Sequence, residues 1–157
     1  MSVERVRDYL KNFNLDSKIM EFSVSSATVA DAANAVGTEP AKIAKSLSFL
    51  VENAPIIIVC AGDTKIDNSK FKQVFHVKSK MIDFDNVEEL TGHRVGGVCP
   101  FAIKENVKVY FDESLKRFDV LYPAAGSSSS AVELTIQEFE KCAQNFQGYI
   151  DVCKQII

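Results

Sequence analysis

An α+β fold with a mixed, largely antiparallel sheet is what this sequence predicts, on three observations. Segments of helical and of alternating periodicity follow one another without the regular strand–helix–strand order of a doubly wound sheet. Two β-like runs, 44–51 and 56–60, stand either side of Asn53-Ala54-Pro55, as the arms of an antiparallel hairpin would. No internal repeat and no long polar tract divides the 157 residues, so a single domain over 1–157 is expected, long enough to bury a substantial core.

Taken in order, Val3, Val6, Leu10 and Phe13 recur at helical spacing with charges between them, so residues 2–14 read as an amphipathic helix laid on the core. Ile19 to Val24 alternates as a strand. Thr28 can cap a helix through Val29, Ala32, Ala33 and Val36, with Gly37 ending it. Thr38-Glu39-Pro40 starts another short helix, because proline is tolerated at a first helical position. In the first hairpin strand Leu47 and Phe49 share a face, and Lys45 and Ser46 fall at its start, where side chains sit at a sheet rim. Asp67 or Asn68 caps a short basic helix through Phe71 and Val74, and Asn86 or Asp85 another through Val87 and Leu90 to Gly92. Val107–Phe111 reads as a strand, Asp112–Phe118 as a helical turn and Val120–Tyr122 as a strand. Ala131–Thr135 is a strand leading into a helix through Ile136, Phe139 and Phe146. Most phenylalanines read as core, and Phe101 as the best candidate for lining a pocket.

The formal net charge of −3 argues against a general nucleic-acid coat, but it is unevenly spread. Residues 42–80 hold seven lysines against three acids, a net +4, and the rest of the chain is −7. Such a basic face can hold a phosphate backbone at one place, although lysines are also the commonest solvated residues. Cys60, Cys99, Cys142 and Cys153 stand too far apart for a Cys-x-x-Cys metal pair; Cys60 and Cys142 lie in apolar patterns that read as buried thiols. Reduced thiols in a cytosol are expected. The charged N-terminus lacks the apolar run of a signal peptide, and no stretch approaches the ~18 apolar residues of a membrane span. A soluble cytoplasmic protein with no membrane contact is the expectation.

The stretch Arg94-Val95-Gly96-Gly97-Val98-Cys99-Pro100-Phe101 holds two of the seven glycines and one of the four prolines. Glycine lets a ligand approach the main chain, and Pro100 fixes its own φ while biasing Cys99 toward extended backbone. A tight turn between helix and strand is the plainer account of it. Ser127 to Ser130, after Gly126, reads as a small-residue loop beside a pocket or as an exposed serine turn.

The order of these pieces resembles the YbaK/ProX family of stand-alone aminoacyl-tRNA editing domains, relatives of the domain inserted in bacterial prolyl-tRNA synthetase. The resemblance rests on Thr28-Val29, Ala32-Ala33 and Gly37, then Ile43-Ala44-Lys45-Ser46-Leu47. It continues through Gly96-Gly97-Val98-Cys99-Pro100-Phe101, Phe111 to Leu115, Arg117-Phe118-Asp119, and Ala125-Gly126 to Glu133-Leu134. It implies a barrel-like mixed sheet flanked by helices, and a pocket that hydrolyses the ester joining a wrong amino acid to the 3′ end of tRNA. Neither metal nor cofactor is implied. Lys45 matches the family's essential lysine, and Gly96, Gly97 and Pro100 its glycine-rich loop. The implied partners are an aminoacyl-tRNA, through its acceptor end, and an aminoacyl-tRNA synthetase such as prolyl-tRNA synthetase; DNA is not among them. Cys99 stands where relatives usually carry Pro or Ser, Ser46 where Thr is also common, and Ala131 where a cysteine-directed branch carries an acid. The amino acid removed is therefore open among Ala, Ser, Cys and Pro.

Ester hydrolysis needs a water nucleophile, a site for the charge growing on the carbonyl oxygen, and a grip on the RNA end. Main-chain N–H groups around Gly96 to Val98 are candidates for the second. Lys45 can act as a fixed charge or as a base, the charge role being favoured. Ser46, Val98, Cys99, Pro100, Phe101, Gly126 and Ser127 are the expected substrate contacts. A thiol mechanism through Cys99 with His93 or His76 as base is the lesser option, with both histidines expected at the surface. A non-catalytic module that docks tRNA or a synthetase is the competing function.

Overall fold

The computed structural model describes the backbone of residues 2–156; Met1 and Ile157, the ends of the expected 1–157 domain, lie outside the described residues. The elements run α1 (Ser2–Lys11), β1 (Ile19–Glu21), α2 (Val29–Val36), β2 (Ile43–Val51), β3 (Ala54–Ala61), β4 (Thr64–Ile66), α3 (Asn68–Phe75) and α4 (Val87–Thr91). They continue with β5 (Lys108–Asp112), β6 (Val120–Pro123), β7 (Ser130–Val132), β8 (Leu134–Thr135), α5 (Ile136–Cys142), β9 (Phe146–Ile150) and β10 (Cys153–Gln155). The expected α+β class with a mixed sheet is what forms. Six strands lie in the order β8-β6-β2-β3-β5-β9, and β1-β7 and β4-β10 make two small antiparallel pairs. Within the large sheet, β2-β6, β3-β5 and β5-β9 are parallel joints, and β2-β3 and β6-β8 are antiparallel.

Local chemistry sets the boundaries. Thr28 accepts from the Asp31 N–H and Gly37 closes α2 in the left-handed region. Asp67 caps α3 by accepting from the Ser69 and Lys70 N–H groups. The β2-β3 turn is Glu52-Asn53, both at positive φ, as a two-residue hairpin turn requires. That shorter turn draws Ala54 and Pro55 into β3, which begins two residues earlier than the sequence pattern indicates. Pro55 is tolerated because its partner Leu50 turns its N–H outward, onto the Lys80 carbonyl, and asks nothing of the missing proline N–H.

Three further expectations are corrected. The first helix ends at Lys11 rather than 14, with Asn14 at φ +60. Strand pairing of 19–24 stops at Glu21, after which the chain bonds irregularly to the serine loop. The last helix ends at Cys142 because Ala143 is extended, so Phe146 belongs to β9. Short strands β4 and β10 were not legible, each being three residues long.

The sheet separates two apolar clusters. One, containing Val6, Leu10, Ile57, Val59, Phe101, Phe111 and Phe139, takes the buried face of α1 and α5. The other gathers Phe49, Ile56, Ile58 and Phe71 under α3. Asp112, buried at the end of β5, accepts from the N–H groups of Ser114 and Val152 and so ties β10's approach to the sheet. Among the described residues no helix is long and apolar enough to cross a membrane.

Candidate functional site

The hairpin register decides where a cavity can exist. Odd residues of β2 face β3 with their N–H and C=O groups, and the even residues turn theirs outward. At one end Ala44 meets β6 at Pro123; at the other the Leu50 N–H donates to the Lys80 carbonyl and the Ser48 carbonyl accepts from Ile82. Met81 bridges Phe49 there. Between these joints β2 has β3 on one side and no paired strand on the other, and Ser46 is the even residue facing the gap. Its hydroxyl is buried without a hydrogen-bond partner among the described residues.

A cavity of about 420 Å³ occupies this gap, within the usual range for ligand sites. Lys45, Ser46, Gly96 and Val98 line it together, with Val29 and Ala32 of α2, Ile43, Tyr122, Ala124, Ser130 and Ala131. Thus the lysine and the glycine loop, some fifty residues apart, share one space. Lys45 is half-buried and has no carboxylate within ion-pair distance among the described residues. Asp63 is held below the ordinary carboxylate range by the Arg117 guanidinium, which bonds it at 2.6 and 2.9 Å, with Lys45 adding a smaller pull. Among the described residues no carboxylate, imidazole or thiol lines the cavity. The Tyr122 phenol is turned to Glu133 at 3.0 Å, and burial raises its pKa.

The glycine turn is a partition. Gly96 lines the first cavity, while Gly97 lines a second of about 410 Å³ with Arg5, Glu88, Arg94, Gly126, Ser127 and Ser128. Gly96 sits at φ +94, and a Cβ on Gly97 would lie 2.6 Å from the Gly126 carbonyl carbon. The loop is pressed main chain to main chain against the serine loop. Gly97's N–H closes the turn by donating to the Arg94 carbonyl at 3.0 Å, so it is not free for a ligand oxygen.

Other expected contacts are corrected. Cys99, Pro100 and Phe101 are buried and line neither cavity; Phe101 packs on Tyr9 and Phe139 in the core. Gly126 and Ser127 face the second cavity. The Ser127 hydroxyl donates to Ser130 Oγ at 3.0 Å and accepts from the Ser129 N–H, so these two hydroxyls are spent within the serine loop. His93, expected at the surface, is fully buried, because the left-handed Gly92 turns the chain inward and the ring bonds the Phe101 carbonyl at 2.6 Å. Cys99 Sγ is 3.5 Å from that ring. Burial pushes the thiol up to about 12 and lowers the imidazole, so the pair is neutral, enclosed and no nucleophile. His76 is exposed, as expected.

Sequence reasoning missed the wall formed by Met81, Ile82, Phe84 and Val87, and the contributions of Ser26 and Ala124. Asp83-Phe84-Asp85, an aromatic between acids just ahead of α4, was the one local signal for that wall, although the side-chain cap expected there from Asn86 or Asp85 does not form: Asn86 precedes α4 with no side-chain cap bond.

The fold and cavity define an α+β pocket domain in which a split sheet edge and a glycine turn enclose one ligand space. The chain belongs to the aminoacyl-tRNA editing domain family, whose model matches residues 24–142. It is 46% identical over 155 residues to the uncharacterized protein YwhH of Bacillus subtilis (strain 168), with 98% of each chain covered. It is 30% identical over 90 residues to the proline–tRNA ligase of Aquifex aeolicus (strain VF5), a match to 56% of this chain and 16% of that enzyme. In three dimensions it matches the crystal structure of a protein put forward as a trans-editing enzyme for prolyl tRNA synthetase. That match has a TM-score of 0.87 at 27% identity and covers 98% of this chain and 97% of the other.

Two outcomes are expected. Gly97→Ala should cost about 1–3 kcal/mol in chemical denaturation, because its Cβ meets main chain that can yield only by parting the two loops. His93 is held below its free value of 6.5, so the unfolded chain binds the extra proton first. Stability from its burial is therefore present above about pH 6.5 and drains away below it. In pH-dependent unfolding, His93→Gln should lose less stability between about pH 6.5 and about pH 5 than wild type does.

Proposed function

We propose that this protein is an aminoacyl-tRNA deacylase that acts in trans, releasing a small amino acid such as Ala, Ser, Cys or Pro from a mischarged tRNA. The observation that carries the reading is the cavity shared by Lys45, Ser46 and the Gly96 turn. Membership of the editing family supports it, as does the likeness to a protein put forward as a prolyl-tRNA trans-editing enzyme.

Lys45 serves as a fixed positive charge for the phosphate of the terminal nucleotide, since among the described residues no carboxylate lies within ion-pair distance of it. Gly96 and Val98 offer their N–H groups to the carbonyl oxygen as it becomes an oxyanion, a role from which Gly97 is withdrawn by its own turn bond. Ser46, with an unspent hydroxyl, holds the ester or the amino acid. Apolar walls from Val29, Ala32, Ile43, Ala124 and Ala131 bound the side chain, and methylene differences there discriminate by only ~1–3 kcal/mol. Water attacks the carbonyl carbon, the ester C–O bond breaks, and the ribose oxygen leaves with a proton. With no carboxylate, imidazole or thiol lining the cavity among the described residues, the neighbouring ribose hydroxyl orients and activates that water. An ammonium beside the phosphate and donors beside the carbonyl leave the protein the work of positioning and charge stabilisation.

A panel of mischarged tRNAs tests this. Wild type should release amino acid from at least one, and Lys45→Ala should lower kcat/KM about a hundredfold on it. Retained tRNA binding with no release from any member would favour the non-catalytic docking module instead. On a good substrate, replacing the free terminal ribose hydroxyl by hydrogen while keeping the ester should abolish turnover; unchanged hydrolysis would return the base to the protein.

A further inference from the structure

Among the described residues, three of the six exposed large apolar side chains gather at one place. Met81 (54% exposed), Phe84 (75%) and Val95 (46%) stand together around this cavity and line it. Phe84 opens the tight turn 84–86, whose carbonyl bond from the Val87 N–H fixes it. Ile82 and Val87 on either side are buried, and Met81 is bridged to Phe49. The ring is therefore presented by braced backbone at a cost in exposed apolar surface that folding alone does not require.

The charges around it are ordered. Lys78 and Lys80 precede the platform and are exposed, Lys45 lines the cavity, Asp83 and Asp85 are the exposed chain neighbours of Phe84, and Glu88 is paired with Arg94. Phosphates are drawn toward the lysines and repelled from the acids. A neutral flat group can lie on Phe84 itself. Aromatic rings that stack unpaired bases are a general means of holding single-stranded RNA.

We propose that Phe84, flanked by Met81 and Val95, is the stacking platform for the terminal base of a single-stranded RNA 3′ end whose ribose sits over the cavity. This rests on the deacylase reading for its choice of occupant, and it makes Phe84 a determinant of substrate affinity rather than of the chemical step.

The chain contains no tryptophan and four tyrosines, so Phe84→Trp installs a lone tryptophan at the rim, excited at wavelengths where tyrosine does not absorb. Titration with the ribotrinucleotide CCA should quench it saturably, and the same oligomer with an abasic terminal nucleotide should not. Absent quenching, or equal quenching by the abasic oligomer, overturns the proposal. Phe84→Ala should raise KM about tenfold on a hydrolysed aminoacyl-tRNA, with kcat within about twofold and Tm unchanged. An unchanged KM overturns it. So does a wild-type dimer that Phe84→Ala converts to monomer in sedimentation, which would give the rim to a second copy of the chain. Quenching by CCA in a protein that deacylates nothing keeps the platform and removes the deacylase reading, whereas deacylation with an inert rim removes the platform alone.

Discussion

A β-strand's outward N–H and C=O groups need partners, and in β2 neighbouring segments of chain supply them at the two ends and leave the middle open to a ligand or water. One side of the strand is fully paired to β3. The other is clamped by β6 at residues 43 and 44 and by the 80–82 segment at residues 48 and 50. Because rigid pairing surrounds the opening, the space at Ser46 is a fixed property of the sheet. Lys45 and Ser46 become site residues through that geometry, since the same side chains in a fully paired strand would have no cavity to enter.

The second constraint is steric. Gly97 is needed less to expose main chain than to let the loop lie against Gly126 and Ser127 with no side chain between them, while Gly96 takes the positive φ beside Ala27 and Ser128. Behind the loop, His93 and Phe101 anchor it through a buried bond, and Cys99 fills the space beside the ring. The loop's back is thus core, and its front, Gly96 and Val98, is cavity wall. The division explains why four consecutive loop positions, Val98 to Phe101, have such different surroundings.

Local chemistry was legible in the sequence where one side chain decides the outcome. Thr28 and Gly37 around α2, Asp67 before α3, and the alternation of 44–51 all carried their own signal. What was hidden depends on distant partners. Phe146 continued an apolar pattern that suited a helix, yet Ala143 and Asn145 redirect the chain so that 146–150 can join β5. His93 looked exposed because nothing local reveals that Gly92 folds it inward. That Lys45 and Gly96 face one cavity was accessible only through resemblance, as no periodicity links residues fifty apart. The opposite wall, 81–87, had no such guide.

The small pair β1-β7 joins Ile19 to Val132, and the same serine loop binds Phe22 and Ser26. A chain emerging from its N-terminus therefore carries the 19–26 segment without a partner until more than a hundred further residues have been made. Loop closure over such separations is slow, and residues 26–29 and 130–131 are two sides of the cavity. The sheet can assemble from its central hairpin outward, but the pocket is among the last features of the molecule to exist.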